Sequence, residues 1–490
     1  MIPAPIIDDL KGKKIFLVGA KGTGMTALAE ILAARGALLE GSDVADTFYT
    51  DAILSSIGVG LHIGFDADLL PGDCELVVHS AAYSRDGNAQ LLEASRRGLP
   101  VLSYPEALGA LSTLQPSAGI AGVHGKTTTT AIAGAIARGI GLEATVLAGS
   151  AVSSFGGRST MIAGHRVLIA ETCEYRRHFL NFSPDRIVLT SVEPDHQDYY
   201  PTYSDIAKAF EEYLRRLPKG GGLVWCADDP GADDVAHRAF AARPDIRSIP
   251  YGERAPGAFR LLSYVASEGR AEFRIARSDR PFELRVPGRH IALDAVAALA
   301  LCLDIAEAGD RGAEDRLIDL AAGAIAAFSG SKRRSEFLGE AGGVVFMDDY
   351  GHHPTAIAKT IEGIRDFRPS RRIVVDFMSH TYSRTKALLD DFARSLDSAD
   401  EVVVHGIYAS ARETVDPDVS GESLAARIRA RAAVARHEGR VSYFEKPLDA
   451  VDALAAKLGP GDLFLTMGAG DNWKLGGALL ERFDAREKAR

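Results

Sequence analysis

Short apolar runs that alternate with segments of helical periodicity are the main pattern along this chain. In the first hundred residues, the runs at 14–18, 37–39, 74–79 and 100–102 are predicted as strands, and residues 25–34 as a helix. Nearly continuous apolar strands separated by helices are typical of a parallel sheet covered on both faces. In such sheets the ligands bind at the carboxyl ends of the strands.

The same alternation continues to the end of the chain and divides it into three predicted α/β domains. A polar, cationic turn at 328–334 separates the last domain from the one before it. The predicted domains are residues 1–108, 109–327 and 328–490. The further predicted strands lie at 118–123, 166–170, 187–191, 221–226, within 260–275, and at 343–347, 372–377, 401–405 and 462–466, with a helix at 293–306.

Composition and charge favour a globular enzyme and argue against a nucleic-acid-binding or disulfide-rich protein. The 490 residues are 46% hydrophobic and 25% charged, which is ordinary for a globular enzyme of about three domains. The net charge is −10 without a basic block, so nucleic acid is not an expected partner. The four cysteines have no CxxC spacing, which predicts neither a disulfide framework nor a zinc site.

No segment is predicted to enter or cross a membrane. The first 14 residues lack the apolar core of a signal peptide. The helix at 293–306 is too short for a bilayer and is interrupted by Asp294 and Asp304. We therefore expect a cytoplasmic protein, either a monomer or a homodimer.

The segment GVHGKTTTT, which begins at Gly122, has the features of a phosphate-binding loop. It follows a predicted strand and opens an apolar, Ala-rich segment. Glycines such as Gly125 let backbone N–H groups close around phosphate oxygens, Lys126 supplies a cation, and the Thr127 hydroxyl suits Mg²⁺. The spacing is shorter than in the general GxxxxGK[ST] loop. The alternative is an ordinary glycine-rich turn in which Lys126 is solvated.

A second glycine-rich turn follows the first strand. Gly19, Gly22 and Gly24 form a GxxGxG pattern, and Asp43 after the next strand is placed to accept hydrogen bonds from a ribose. This predicts nucleotide binding, and an NAD-dependent oxidoreductase is one interpretation. The alternative is that these glycines only allow a helix and a strand to pack closely.

Two polar side chains follow predicted strands that come after the phosphate loop in the sequence. Glu171 ends the strand at 166–170, and His196 follows the strand at 187–191. Since carboxyl ends of parallel strands share one edge of a sheet, Glu171 can reach a Mg²⁺ held by Thr127, and His196 a second cation. The alternatives are a helix cap and a structural histidine.

Residues capable of chemistry also follow the strands of the last third. The strand at 343–347 leads into DDYGHHP, which starts at Asp348, and the strand at 372–377 leads to His380 and Arg384. Any one of these groups is also compatible with capping and turn chemistry. Their repetition at successive strand ends favours a third domain that contributes its carboxyl edge to a site.

Five of these segments together resemble the Mur ligases, and the resemblance covers essentially the whole chain. The segments are GVHGKTTTT from Gly122, EPDH from Glu193, DDYGHHPT from Asp348, SRT from Ser383 and GAGD from Gly468. The shortened phosphate loop is the form that this family uses.

The resemblance implies ATP-dependent formation of an amide bond in peptidoglycan precursor synthesis. UDP-N-acetylmuramate would be activated as an acyl phosphate, with ATP and Mg²⁺ required, and an amino acid, expected to be L-alanine, would attack it. Glycine, serine or a recycled peptide as the acceptor is left open. A nucleotide-binding regulatory or scaffold protein without turnover is a further alternative.

The resemblance also assigns domains and residues. It implies a Rossmann-like domain for UDP-N-acetylmuramate, a phosphate-loop ATPase-like central domain and a Rossmann-like C-terminal domain. Glu171 and His196 match metal ligands, and His352 or His353 is a candidate base for the amine. The residues implied for UDP-N-acetylmuramate are Gly19, Gly22, Gly24, Asp43 and Ser80; those for ATP are Gly122, His124, Gly125, Lys126, Thr127, Thr128, His290, Arg333 and Asp349; those for the amino acid include His380 and Arg384.

Two segments depart from the family pattern. The usual EADES reads ETCEYRR from Glu171, and the usual HNxxN reads HIALD from His290. The second change replaces two asparagines by Ile291 and Asp294. Ile291 cannot donate a hydrogen bond to adenine, and Asp294 would only accept one.

Overall fold

A five-stranded parallel sheet forms the first domain because its central strands are runs of buried aliphatic residues. The computed structural model describes residues 9–307, 309–409, 413–434 and 440–488. The strand order is β3-β2-β1-β4-β5. The elements are β1 (Lys14–Val18), α1 (Thr23–Ala34), β2 (Leu38–Asp43), α2 (Tyr49–Ser56), β3 (Gly60–Ile63), β4 (Leu76–His79), α3 (Ala89–Arg96), β5 (Val101–Ser103) and α4 (Tyr104–Ser112).

The second domain is built on a ten-stranded sheet whose parallel centre carries the phosphate loop. The order is β15-β14-β13-β12-β11-β10-β6-β9-β7-β8, with antiparallel pairing at both edges. Its elements are β6 (Ser117–Ala121), α5 (Lys126–Gly139), β7 (Ala144–Val152), β8 (Arg158–Ile162), β9 (Val167–Glu171), β10 (Arg186–Leu189), α6 (Tyr203–Leu214), β11 (Gly222–Cys226), α7 (Pro230–Ala242), β12 (Arg247–Gly252), β13 (Phe259–Ser267), β14 (Arg270–Ile275), β15 (Phe282–Leu284), α8 (Arg289–Ala306) and α9 (Arg311–Ala327).

The third domain has a six-stranded sheet in the order β16-β17-β21-β18-β19-β20, in which the β16–β17 pair is antiparallel. Helices cover both faces of this sheet and bury a separate apolar cluster on each. Its elements are β16 (Glu336–Ala341), β17 (Val344–Asp349), α10 (Pro354–Phe367), β18 (Arg372–Met378), α11 (Tyr382–Ala387), α12 (Leu389–Ser395), β19 (Glu401–His405), α13 (Gly421–Val434), β20 (Val441–Phe444), α14 (Val451–Lys457), β21 (Asp462–Gly468) and α15 (Trp473–Lys488).

The junctions between the domains differ in character. One continuous apolar cluster extends from the first domain through the second, and among the described residues Phe328 and Phe367 are its members beyond the predicted boundary at 327. A buried carboxylate, Glu30 on α1, also contacts Arg158 and Thr160 on β8 of the second domain. The first two domains therefore share a core, besides a smaller cluster around Phe16 and Val77 that belongs to the first domain alone, whereas two separate clusters form the interior of the third domain.

The predicted elements agree with the structure for most central strands, and the strands that were missed are several edge strands together with the interior strands β7 and β12. The strand at 14–18 is observed residue for residue, and the helix predicted at 25–34 begins two residues earlier. The predicted domain boundary at 108 falls inside α4, while α9 ends at the predicted boundary of 327. The strands that the pattern missed are β3, β7, β8, β12, β15, β16 and β20.

Within the described parts of the chain, no helix combines the length and the apolar character that crossing a bilayer requires. The most apolar predicted segment, α8, instead packs inside the second domain against α5 and α9.

A buried polar network in the third domain links Asp376 on β18, His405 on β19 and Asn472 after β21. His405 and Asp376, both without solvent exposure, contact each other through Nε2 and Oδ1 at 2.5 Å. Asn472 Nδ2 donates to the other oxygen of Asp376 at 2.9 Å. Burial lowers the pKa of His405, but the contact with Asp376 raises it, and the net pKa lies above the ordinary value. The imidazole is therefore favoured in its charged form.

This network predicts a pH-dependent stability of the third domain. The stabilisation should be complete below the unfolded pKa of histidine, about 6.5, and should be lost as the pH rises through the raised folded pKa. We expect His405→Gln to lower the free energy of unfolding by about 3 kcal/mol at low pH, since it breaks a buried charged pair. The loss should shrink above neutral pH. In a Trp225→Phe background, Trp473 fluorescence during urea unfolding reports on this domain; a loss independent of pH would contradict the assignment.

Candidate active site

A cavity of about 1510 Å³ lies where the carboxyl edges of the second and third sheets face each other. Charged and polar groups from both domains line it, and Ala82 is the first domain's contribution among the described residues. Of the residues predicted for the site, the cavity lining contains His124, Gly125, Lys126, Thr127, Thr128, Glu171, His196, His290, Asp349, His352, His353, His380 and Arg384.

The phosphate loop connects β6 to α5, and its backbone is fixed from the neighbouring strand end. The hydroxyl of Thr190 donates to the carbonyl of His124, and the His124 N–H donates to Ser191 Oγ at 2.9 Å. Gly125 has a φ of 81°, and a Cβ there would lie 2.6 Å from Asp294 Oδ1. Glycine is therefore required at this position for both conformation and space. The loop thus presents the N-terminus of α5 to the cavity.

Lys126 forms an ion pair with Glu174, a residue that the sequence interpretation did not assign to the site. Its Nζ lies 2.9 and 3.1 Å from the two carboxylate oxygens and also contacts the carbonyl of Gly122. Burial lowers the pKa of Lys126, but Glu174 and its acidic neighbours raise it above the ordinary value. Burial likewise raises the pKa of Glu174, whereas Lys126 and His196 lower it, with a net decrease. Both groups are thus charged.

Glu171 and His196 lie at the sheet edge that carries the phosphate loop, on opposite sides of it. The strand β6 pairs with β9, which ends at Glu171, and with β10, which leads to His196. Glu171 Oε2 accepts a hydrogen bond from the Gly149 N–H at 2.7 Å. His196 has a φ of 53° and places its Nε2 3.5 Å from Glu174 Oε1. A left-handed backbone at a non-glycine residue is costly and is found mainly at functional sites.

A buried ion pair connects the third domain to the second across the cavity. Arg384 Nη2 donates to Asp195 Oδ1 at 2.6 Å, and both side chains are less than a tenth exposed. Arg384 Nη1 lies 3.3 Å from His380 Nδ1, which must accept because the guanidinium only donates. Burial and the adjacent Arg384 lower the pKa of His380 to about 4. The side chain predicted to hold the amino acid is therefore already oriented toward the cavity.

The two histidines of the DDYGHHP segment have different protonation patterns. His352 Nδ1 lies 3.0 Å from the Tyr350 carbonyl and must donate to it, which leaves Nε2 as a free acceptor. His353 Nδ1 instead accepts from the Thr355 N–H at 3.4 Å, at the start of α10. Burial lowers the pKa of both imidazoles below the ordinary value. Of the two predicted bases, His352 is the one that presents a ring nitrogen lone pair without a backbone donor.

Arg334, and not the predicted Arg333, lines the cavity. Arg333 donates to Asp348 Oδ2 at 2.9 Å and to the Gly468 carbonyl at 2.6 Å, so its guanidinium stabilises the loop. Arg334, which the sequence interpretation did not single out, lines the cavity and lies 3.3 Å from Thr127 Oγ1. The left-handed backbone of Arg333 turns the two side chains in different directions.

Asp349 holds the backbone of the same loop. Its two oxygens accept hydrogen bonds from the N–H groups of Ser335 at 2.7 Å and Gly351 at 2.6 Å. Burial raises its pKa above the ordinary value. Asp349 lines the cavity, where a residue near ATP was predicted. Both of its carboxylate oxygens already accept hydrogen bonds from backbone N–H groups.

The departure from the family pattern on α8 lies directly beside the phosphate loop. Asp294 is buried next to Gly125 and accepts a hydrogen bond from the Thr129 hydroxyl at 3.1 Å. Burial raises the pKa of Asp294 to about 8. Its carboxyl group is therefore mostly protonated at neutral pH and can donate one hydrogen bond, as an asparagine amide does. His290, at the start of α8, has its pKa lowered to about 4 by burial and is neutral.

The residues predicted to bind the UDP moiety lie at the carboxyl edge of the first sheet and outside the cavity lining just described. Gly19 has a φ of 79°, and a Cβ there would lie 2.6 Å from the Tyr83 ring. The carboxylate of Asp43 accepts from the N–H groups of Lys21 at 2.6 Å and Val44 at 2.8 Å. The remaining predicted residues of this edge are Gly22 at the start of α1, Gly24 within α1 and Ser80 after β4.

These groups fit a nucleoside triphosphate and a hard divalent cation. The loop N–H groups and the helix N-terminus favour an anion, and Lys126 and Arg334 add two positive charges. The Thr127 hydroxyl and the Glu171 carboxylate are oxygen ligands of the kind that Mg²⁺ prefers, and both line the same cavity as His196. The geometry is that of a phosphate-loop enzyme whose chemistry takes place between domains.

Comparisons with known proteins identify the family. Three domain profiles match in succession: the Mur ligase family catalytic domain over residues 14–115, the Mur ligase middle domain over 120–302, and the Mur ligase glutamate ligase domain over 333–470. UDP-N-acetylmuramate–L-alanine ligase from Treponema pallidum (strain Nichols) is 50% identical over 475 residues, covering 97% of this chain and 98% of that protein. The chain therefore belongs to the Mur ligase family.

Two further relatives support this result. The UDP-N-acetylmuramate–L-alanine ligase of Borreliella burgdorferi is 38% identical, covering 96% of this chain and 98% of that protein. The crystal structure of UDP-N-acetylmuramate–alanine ligase from Thermotoga maritima has a TM-score of 0.77 at 22% identity, covering 96% and 99% of the two chains. The predicted family and the three-domain α/β fold are thus confirmed, and the family favours the ligase interpretation of the first domain over an NAD-dependent oxidoreductase.

The Lys126 assignment predicts a large loss of turnover on truncation. Lys126→Ala should lower kcat for ADP formation by about 100- to 1000-fold, the usual cost of removing a preorganised group that stabilises developing negative charge. Lys219→Ala, which alters an exposed lysine, should leave kcat unchanged. The measurement is coupled ADP release, with circular dichroism to show that the fold is retained. Full activity of Lys126→Ala would remove the phosphate-loop assignment.

Proposed function

We propose that this protein joins L-alanine to UDP-N-acetylmuramate at the expense of ATP, releasing ADP and phosphate, as a step of peptidoglycan precursor synthesis. The observation that carries the proposal is the single cavity that brings Lys126, Glu171 and His196 of the second domain to Arg384 of the third. The full-length similarity to proteins named for this activity supports the choice of substrates.

The first chemical step joins two anions, which the site must hold together. The lactyl carboxylate of UDP-N-acetylmuramate attacks the γ-phosphorus of ATP, an acyl phosphate forms, and ADP leaves. Two unit negative charges about 4 Å apart repel by roughly 4 kcal/mol at an effective dielectric constant of about 20. Lys126, Arg334 and the N-terminus of α5 supply the opposing positive charge. Mg²⁺ held by Thr127 and Glu171, and a second cation at His196, would neutralise further phosphate charge.

Glu174 is the ion-pair partner of Lys126 before the triphosphate binds. The ion pair holds the lysine ammonium at the mouth of the phosphate loop, where it keeps one orientation. Phosphate oxygens compete with Glu174 for this cation when ATP enters. Glu174 then remains close to His196, 3.5 Å away, which limits the cost of leaving a buried carboxylate without a partner.

The second step needs an amine without its proton. The amino group of alanine attacks the acyl carbon, a tetrahedral intermediate forms, and inorganic phosphate leaves. His352 Nε2 presents a free lone pair in the cavity and is the base that removes the proton. Arg384, with His380 beside it, holds the carboxylate of the amino acid, and this places the amine between the two domains.

Arg384 should control the affinity for the amino acid. Arg384→Lys keeps the charge but removes the planar fork, so the KM for L-alanine should rise by about 10- to 100-fold, as expected for losing one hydrogen bond to a charged group. The KM for ATP should change by less than about twofold. Arg394→Lys, at an exposed arginine of the same domain, is the matched control. Equal increases in both KM values would count against the carboxylate role.

Because Asp294 is protonated at neutral pH, we expect the affinity for ATP to fall at alkaline pH and expect Asp294→Asn to abolish this fall. Because burial raises its pKa to about 8, the carboxyl ionises as the pH rises above 8 and then repels the phosphates beside Gly125. If bound triphosphate raises this pKa by about one further unit, the KM for ATP rises up to tenfold. Asp294→Asn should retain activity at pH 7 and show no such rise between pH 7 and 9. Parallel profiles for the two proteins would contradict the assignment.

A screen of ADP release tests the function itself. The full chain with ATP, Mg²⁺ and UDP-N-acetylmuramate should release ADP only when an amino acid is added, with L-alanine preferred over glycine and L-serine. The product should gain the mass of one alanine residue. Release that requires the recycled tripeptide instead would replace the proposed acceptor, and release without UDP-N-acetylmuramate would remove the proposal.

A further inference from the structure

Three metal-binding side chains converge at the seam between the second and third domains. His124 belongs to the phosphate loop, Glu193 follows β10, and His353 begins α10. One ligand atom from each lies within 4.8 Å of the others. His124 Nε2 contacts Glu193 Oε1, and His353 Nδ1 lies 3.8 Å from the same oxygen. The two imidazole rings are 5.1 Å apart between centroids.

The chemistry of this cluster differs from that of the magnesium ligands. Two imidazoles and one carboxylate suit Zn²⁺ and its neighbours in the first transition row, whereas Mg²⁺ prefers oxygen ligands. Bonds of about 2.1 Å around a tetrahedral ion put the ligand atoms roughly 3.4 Å apart. The pairs farther apart than this must approach by up to roughly 1.4 Å, and the closer His124–Glu193 contact must lengthen, changes within the reach of side-chain rotation. All three residues line the cavity, from which water can supply a fourth ligand.

The surroundings of the cluster orient its ligand atoms. Thr355 Oγ1 donates to Glu193 Oε2 at 2.9 Å, which leaves Oε1 directed at the two histidines. The Thr355 N–H meets His353 Nδ1 at 3.4 Å, a long contact that a stronger ligand bond can replace. The backbone of His124 is held by Thr190 and Ser191. Outer contacts of this kind fix ligand orientation in metal sites.

We propose that His124, Glu193 and His353 bind a divalent transition-metal ion of the Zn²⁺ class, and that this ion ties the phosphate loop to the third domain and inhibits turnover. The site shares no residue with Thr127, Glu171 and His196. Cysteine spacing, from which no zinc site was expected, gives no information on histidine ligands from different domains. Occupation fixes one arrangement of the two domains, whereas the proposed reaction requires them to open for substrates and products.

Co²⁺ is the probe for the test because its visible absorption reports ligand number and geometry. The full chain, without nucleotide, is titrated with Co²⁺, and Zn²⁺ is then added in competition. We expect one equivalent to give the intense bands of a four-coordinate ion, and Zn²⁺ to abolish them and raise the melting temperature. This readout needs no turnover, so it is independent of the function proposed above.

Matched variants assign the ion to its residues. His353→Asn and Glu193→Gln should weaken Co²⁺ binding by more than about 100-fold, and Thr355→Val, which removes only an outer contact, by about tenfold. His196→Asn, at the neighbouring magnesium position, should bind as the wild type does. The proposal is overturned if the wild type gives no such bands, or if His196→Asn loses the ion as fully as His353→Asn. Thr355→Val retains the ligand set and keeps the test decisive if another variant fails to fold.

Discussion

The site depends on keeping a positive charge buried at the mouth of the phosphate loop. Lys126 is nearly excluded from solvent, and an ammonium in such a place is stable only with a partner. Glu174 provides that partner in the structure described, and phosphate oxygens can replace it. The glycine at 125, the strand order β10-β6-β9 and the packing of Asp294 all serve to hold this charge where two acidic substrates meet.

The same principle operates across the domain seam. Arg384 and Asp195 form a buried pair between domains whose apolar cores are separate, so electrostatic contacts align the third domain with the second. Such contacts are directional and can be exchanged for contacts with a substrate, whereas an apolar interface would resist opening. The first two domains are thus joined by a shared apolar core, whereas the contacts between the second and third domains include ion pairs that a substrate can replace.

Much of this was predictable from the sequence, and the failures have physical causes. Central strands such as Lys14–Val18 are continuous apolar runs, so their burial on both faces is visible in the chain itself. Edge strands such as Gly60–Ile63 and Glu336–Ala341 are half exposed and carry no such run. The parallel topology was sufficient to place Glu171 and His196 around Thr127, because strand ends on one edge need no side-chain detail.

The residues that sequence reasoning missed depend on tertiary contacts or on backbone conformation. Glu174 lies 48 residues from Lys126. Nothing in the local segment indicates that Glu174 pairs with Lys126 rather than with the adjacent arginines. Arg333 and Arg334 differ in role because one residue adopts a positive φ, which residue type alone does not indicate. The protonated state of Asp294 follows from its burial beside the loop and not from the spacing of its motif.

The continuous apolar cluster of the first two domains has a consequence for how this architecture can diversify. Residues packed in one shared core constrain each other's size and shape, so a change in the shared core of the first two domains affects both of them. The third domain has two apolar clusters of its own and contacts the second domain through polar pairs such as Arg384–Asp195. Its interior can therefore change with little effect on the other two domains. Under the function proposed above, changes in the accepted amine can therefore arise in the third domain without altering the core that the first two domains share.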